Sequence, residues 1–131
     1  MENTILFQRI SWDDLQRYLH REACKINRDV DQDVRLLNYA MFSEQTVEGI
    51  YFDGTLVGFA RWDRRNNHLS NLYVSPEYRG HGIAREFIQS RNVSSLYVMP
   101  HNHDAKRLYT KLGFMRCYCN APNREFMIRP A

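Results

Sequence analysis

Cysteine is scarce in this chain: Cys24, Cys117 and Cys119 are the three among 131 residues. They form neither an even set nor a C-x-x-C pair, so neither a disulfide framework nor a dithiol redox motif is expected. Cys117 and Cys119 would share one face of a strand, where a buried structural thiol is the expected role. Such thiols suit a reducing, cytoplasmic setting. The histidines His20, His68, His81, His101 and His103 show no H-x-x-x-H spacing and no Cys/His cluster, so no metal site is expected. No apolar run approaches the roughly 20 residues that span a bilayer. Met1-Glu2-Asn3-Thr4 lacks the basic and apolar regions of a signal peptide, and no membrane association is expected. A phosphate loop of the G-x-x-x-x-G-K-[ST] type is missing, which argues against a nucleotidase. The net charge of +3 comes without a basic stripe interleaved with aromatics, which argues against a nucleic-acid partner. No Ser or Cys stands in a recognisable nucleophile arrangement, so a covalent intermediate is not indicated.

What is present is the composition of one globular domain, 44% hydrophobic and 25% charged. That length supports one real core and is too short for two, so residues 1–131 are expected to form a single domain. Residues 5–10 read as a strand. Ser11 and Asp14 then make a capping box for a helix carried by Leu15, Tyr18 and Leu19 and fading near Asn27. A polar, mostly acidic connection over 28–33 leads to a second helical pattern from Val34 to Met41. Strands at 47–52 and 55–62 flank Asp53-Gly54, a strong hairpin signal. Arg64 to Asn67 turns the chain into an alternating strand that ends at Val74. Further strands are predicted at 95–99, 115–119 and 125–128, the last two turned by Pro122-Asn123.

The most informative stretch is V-S-P-E-Y-R-G-H-G-I-A, Val74 to Ala84. Pro76 stops a strand, Gly80 and Gly82 punctuate a tight loop, and apolar residues return at helical spacing with Ile83, Ala84, Phe87 and Ile88. The first N–H groups of a helix lack internal partners and favour an anion. Glycines let that backbone approach a pyrophosphate without Cβ clashes, and Arg79 adds a planar cation. Some twenty residues on, Asn102 to Phe114 reads N-x-x-A-x-x-x-Y-x-x-x-G-F. Ala105, Leu108, Tyr109 and Leu112 share one helix face, Asn102 starts the helix and Gly113 stops it.

Together these two segments resemble the GCN5-related N-acetyltransferase (GNAT) superfamily. R-G-x-G-x-A at Arg79, Gly80, Gly82 and Ala84 matches its acetyl-CoA motif, and the Asn102–Tyr109 spacing matches its Asn/Tyr helix. The element order β-α-α-β-β-β-α-β-α-β-β is also that of the family. The resemblance implies an α+β fold, an α/β/α sandwich. Its mixed, mostly antiparallel sheet would have six to seven strands and about four helices, splayed between strands four and five. One departure is that only eleven residues separate Ala84 from Leu96, which leaves the intervening helix two to three turns.

The resemblance further implies an acetyl-CoA-dependent N-acetyltransferase acting on a primary amine by direct transfer in a ternary complex. Its alternative is a non-catalytic acyl-CoA sensor or partner-binding module; a homodimer is compatible with either. The backbone of Arg79, Gly80, His81, Gly82, Ile83 and Ala84 would hold the pyrophosphate. The pantetheine arm would pair with the backbone of Leu72, Tyr73 and Val74, where an N–H would donate to the thioester oxygen. Asn102 would contact the cofactor arm, and Tyr109 would protonate the departing thiolate, its phenol having a broadly similar basicity. Lys106 and Arg107 could meet the adenosine phosphates. For the general base, the position where some relatives carry Glu is Tyr97. Glu48, His68 and His101 remain as candidates beside a water-mediated route. Asp13, Asp14, Glu22, Asp29, Asp31 and Asp33 lean acidic near the expected acceptor region, which favours a cationic amine.

Overall fold

The computed structural model describes residues 4–23, 25, 39–100, 102–117 and 124–130. It contains the Asp53-Gly54 hairpin. Both turn residues take positive φ, 51° and 85°, the two-residue geometry whose twist matches the flanking strands. It joins β2 (Thr46–Phe52) to β3 (Thr55–Asp63). Before them come β1 (Ile5–Arg9), α1 (Trp12–Arg21) and α2 (Tyr39–Glu44). After them come β4 (His68–Val74), a 3-10 turn (Pro76–Tyr78), α3 (Ile83–Ser90) and β5 (Ser95–Val98). The chain continues through α4 (His103–Lys111), β6 (Met115–Cys117) and β7 (Glu125–Ile128). Ser11 caps α1 through its Oγ, which accepts the Asp14 N–H at 3.1 Å, and Glu22 closes it. The start of the second helical pattern, the turn at Pro122-Asn123, Cys24, Cys119 and His101 lie outside the described residues.

The sheet runs β1-β2-β3-β4-β5-β7-β6. Only the β4–β5 pair is parallel among the pairings described. Alternation along the strands sends their side chains to two faces. Phe59 and Tyr73, cross-strand partners, join Ile10, Leu15, Tyr18 and Val47 under α1. On the other face Phe87 and Ile88 of α3 and Tyr109 of α4 pack with Trp62, Leu69, Leu96 and Met127. Ile83, first residue of α3, sits on Ile50, Val57 and Val74. The expected α/β/α sandwich results.

Two irregularities position the site. Along β3 and β4, Arg61 pairs with Asn71 but Trp62 pairs with Leu69, so Ser70 is an extra residue in β4. Such a bulge bends its strand. The β4–β5 ladder consists of His68↔Ser95 and Leu69↔Leu96, and it stops where the bulge begins. Beyond that point the two strands part.

The second irregularity is the brevity of α3, eight residues. Its C-terminal end is tied to the sheet by Glu48 of β2. The carboxylate accepts from Arg91 Nε at 2.9 Å and Nη2 at 2.7 Å, and from Trp62 Nε1 at 2.9 Å.

Candidate active site

The parting of β4 and β5 opens a cleft of about 760 Å³, within the size range of small-molecule sites. Leu72, Tyr73 and Val74 form one wall, Arg79, Gly80, Gly82, Ile83 and Ala84 an end, and Asn102 and Tyr109 the opposite wall. Two segments distant in sequence thus meet across one cavity. His81 is the exception among the predicted residues: its ring turns outward, Nδ1 lying 3.0 Å from the Tyr78 carbonyl and the ring 5.0 Å from that of Phe52. Its backbone remains in the loop.

Gly80 and Gly82 take φ of 86° and 75°, the left-handed region where a side chain is strained. A Cβ on Gly80 would meet nothing within 4 Å, and one on Gly82 only Arg85 Nη2 at 3.9 Å. The glycines therefore set backbone direction and leave an open concavity at the N-terminus of α3. Arg85, which the sequence reading missed, lines the same end of the cleft. Arg79 has a second duty, because its Nε donates to the Val74 carbonyl at 2.9 Å. Open space, helix N–H groups and arginines fit the pyrophosphate of a coenzyme A molecule.

The Ser75 N–H donates to the Val57 carbonyl at 2.7 Å. Successive residues of a strand present their N–H and C=O groups to opposite edges. Val74 therefore turns its own pair toward the cleft. Opposite it stands Gly58, where a Cβ would lie 2.2 Å from the Tyr73 carbonyl oxygen and 3.1 Å from Val74 Cα. Nothing in the alternation of β3 had marked Gly58 as part of the site; its role follows from the closeness of β4. A buried chain also holds this strand end: Tyr18 Oη lies 2.5 Å from Ser75 Oγ, and Ser75 Oγ donates to Glu22. Burial holds the Tyr18 phenol well above its usual range, against the hydrogen bond with Ser75, so it stays protonated.

Beyond Leu72 the cleft narrows to a slot of about 30 Å³ lined by Ser70, Tyr97, Met99, Asn102, Tyr109 and Arg124 among others. Leu72, Asn102 and Tyr109 line both spaces. Tyr109 is 7% exposed and stands at their junction. Asn102 caps α4, its Oδ1 accepting the Ala105 N–H at 3.2 Å. Lys106 and Arg107 are engaged within the protein. Lys106 Nζ donates to the Pro100 carbonyl at 2.7 Å, and Arg107 pairs with Asp104.

The base candidates fall elsewhere. Burial alone would raise the pKa of Glu48, but hydrogen bonds and charge from Arg91, with the Trp62 N–H, hold it below the usual carboxylate value. It is an ion-pair anchor remote from the slot lining. His68 Nδ1 lies 2.8 Å from Ser95 Oγ, and its ring packs on Tyr97 and Phe126 at 4.6 and 5.7 Å. Burial first, then the charge of Arg124, lowers its pKa. Tyr97, not His68, forms the slot wall. Among the described residues no group of three His, Cys, Asp or Glu side chains could hold a metal ion. No helix there is long and apolar enough to cross a membrane.

The acetyltransferase (GNAT) domain family matches residues 43–116, more than half of the chain, and the chain belongs to that family. No curated protein matches the sequence. Among solved structures the chain is similar to an acetyltransferase from Thermus thermophilus, at 19% identity and TM-score 0.71, covering 98% of this chain and 97% of that one. The PaiA N-acetyltransferase of Thermoplasma acidophilum, in complex with coenzyme A, is 20% identical with TM-score 0.65, covering 98% and 99%. Arabidopsis thaliana Naa50, in complex with the bisubstrate analogue CoA-Ac-MVNAL, is 19% identical with TM-score 0.63, covering 97% and 98%. At these identities the likeness is one of fold.

Proposed function

We propose that this chain is an N-acetyltransferase that moves the acetyl group of acetyl-CoA to a primary amine by direct transfer in a ternary complex. The observation that carries the reading is the continuous path from the glycine cradle, along the Val74 edge, to a slot with Tyr109 at its entrance. Acetyl-CoA supplies a thioester; its C–S bond breaks as the amide C–N bond forms, and the amine loses one proton. The cradle binds the pyrophosphate. Val74 N–H faces the cleft where charge develops on the thioester oxygen, worth about 3 kcal/mol for a well-placed donor. Tyr109 gives its proton to the thiolate. The described slot lining holds no carboxylate, so water carries off the amine proton.

The test is coenzyme A release from acetyl-CoA across a panel of amines, with acetyl-CoA affinity measured by calorimetry. In Tyr109→Phe that affinity should be retained while kcat drops about 100-fold or more, the scale of a lost general acid. A wild-type kcat in this variant would give the proton to another group. Failure of the wild-type protein to bind acetyl-CoA would remove the reading altogether.

A further inference from the structure

Three deeply buried polar side chains beneath α1 take no part in the chemistry above. Tyr18 is 1% exposed, and Glu22 and Ser75 are 3% exposed each. Tyr18 lies in the last turn of α1, Glu22 caps that helix, and Ser75 follows the last residue of β4. Glu22, one of the acids expected to lean toward the acceptor, is buried instead. Asp14 of the same group pairs with Arg17 at 2.5 Å, and Asp29, Asp31 and Asp33 lie outside the described residues.

Ser75 is bonded in three directions. Its Oγ donates to Glu22 Oε1 and lies 2.5 Å from Tyr18 Oη. A hydroxyl has one proton to give; here it goes to Glu22, so the Tyr18 O–H donates to Ser75. The Ser75 N–H donates to the Val57 carbonyl at 2.7 Å, and its carbonyl accepts the Tyr78 N–H at 2.9 Å. One residue thus joins α1, β3 and the turn that leads into the glycine cradle. Lys25 ties the same helix end to that turn, its Nζ 3.2 Å from Glu22 and 2.9 Å from Glu77.

Tyr18, Glu22 and Ser75 line neither the cleft nor the slot, so they act on the reaction through the backbone. The peptide joining Val74 to Ser75 is held at both ends, its N–H by Val57 and its C=O by Arg79 Nε at 2.9 Å. The Val74 N–H lies one peptide earlier and takes its direction from that clamp. The clamp is needed there, because the described β4–β5 ladder ends at Leu69↔Leu96 and β5 gives this stretch of β4 no support.

We infer that Ser75 is a positioning residue for acetyl transfer: bound by Tyr18 and Glu22, it aims the Val74 N–H at the thioester oxygen. The inference rests on the acetyl-transfer reading above and adds the buried device that sets its oxyanion donor. Such a donor works at about 3 Å from the developing charge, and a misplacement of about 1 Å can cost about 100-fold in rate.

The test is the carbonyl stretch of acetyl-CoA labelled with carbon-13 at the thioester carbon, read by isotope-edited infrared spectroscopy on the bound complex. Wild type, Ser75→Ala and Tyr18→Phe are compared, with acetyl-CoA affinity measured by calorimetry. In wild type the stretch should lie below that of free acetyl-CoA, since a donor on the oxygen weakens the C=O bond. Ser75→Ala should move it back toward the free value while the cradle keeps acetyl-CoA affinity unchanged. Tyr18→Phe, which keeps the bond from Ser75 to Glu22, should move it the same way by less, and it carries the test if Ser75→Ala does not fold. With the amine that gives the fastest coenzyme A release, kcat should fall about tenfold or more in Ser75→Ala, with the KM for that amine unchanged. A folded variant that binds acetyl-CoA with the wild-type stretch overturns the inference and leaves these residues a purely structural role. A wild-type stretch equal to that of free acetyl-CoA overturns it together with the Val74 donor. Failure of the wild type to bind acetyl-CoA instead removes the underlying reading.

Discussion

Gly58 shows how much one missing methyl group can decide. Its neighbour across the ladder is Val74, and the 2.2 Å separation between an added Cβ and the Tyr73 carbonyl oxygen is far inside any tolerable contact. Rigid backbone stands there, not a flexible side-chain end, so Gly58→Ala must push β4 away. We expect a loss of about 1–3 kcal/mol, the usual cost of overpacking, read by urea denaturation. A fall in kcat should exceed that in the folded fraction, because the displaced edge is the one that faces the thioester. Full stability in Gly58→Ala would mean that β3 and β4 are further apart than described. Gly82 and Tyr109 stand out in the sequence through the family motifs that they complete. Gly58 was not, because a strand glycine has no local signature when its constraint comes from another strand.

Among the elements, α3 depends most on its neighbours. Eight residues are too few for a helix to be stable by itself, yet its first turn must present N–H groups at a fixed place. Ile83, Phe87 and Ile88 bury its apolar side, and Arg91 clamps its end onto Glu48. Replacing Glu48 by Gln removes the anion and leaves Arg91 half-buried without its partner. The expected cost is about 2–3 kcal/mol of stability, with kcat per folded molecule retained. A collapse of kcat at unchanged stability would instead make Glu48 the catalytic base. The sequence placed α3 and its shortness correctly. That a residue thirty-five positions before Ile83 (83 − 48) would anchor the helix required the sheet to bring β2 under it. In the same way α1 is held to the end of β4 where Tyr18 and its C-cap Glu22 meet Ser75, more than fifty residues further along the chain.

At the scale of the whole molecule the buried titratable groups set an acid limit. Burial and the nearby Arg124 depress the folded pKa of His68 below its ordinary 6.5. As pH falls through 6.5 the unfolded chain takes up a proton that the folded chain refuses, so stability falls. Glu48, also depressed in the fold, acts in the same direction at lower pH: the stability its charge provides is lost as pH drops from its ordinary 4.5 through the folded value. Thermal midpoints should therefore decline steadily between pH 7 and 5, and His68→Gln should flatten the upper part of that decline. An unchanged slope in His68→Gln would show that His68 titrates normally in the folded protein.

Local rules suffice for much of this protein. The Asp53-Gly54 turn, the Ser11 cap, the glycine cradle and the Asn102–Tyr109 helix depend on residues within a few positions of one another, so the chain itself specifies them. Element order and family membership follow from those segments in sequence. The splay of the sheet is different: it begins at the Ser70 bulge, which exists only because β3 and β4 pair in a particular register. The slot, the seating of Arg124 on Tyr97 and the close approach at Gly58 are consequences of that register and of strand packing. They join residues far apart in the chain, where no local preference operates, and tertiary structure alone decides them.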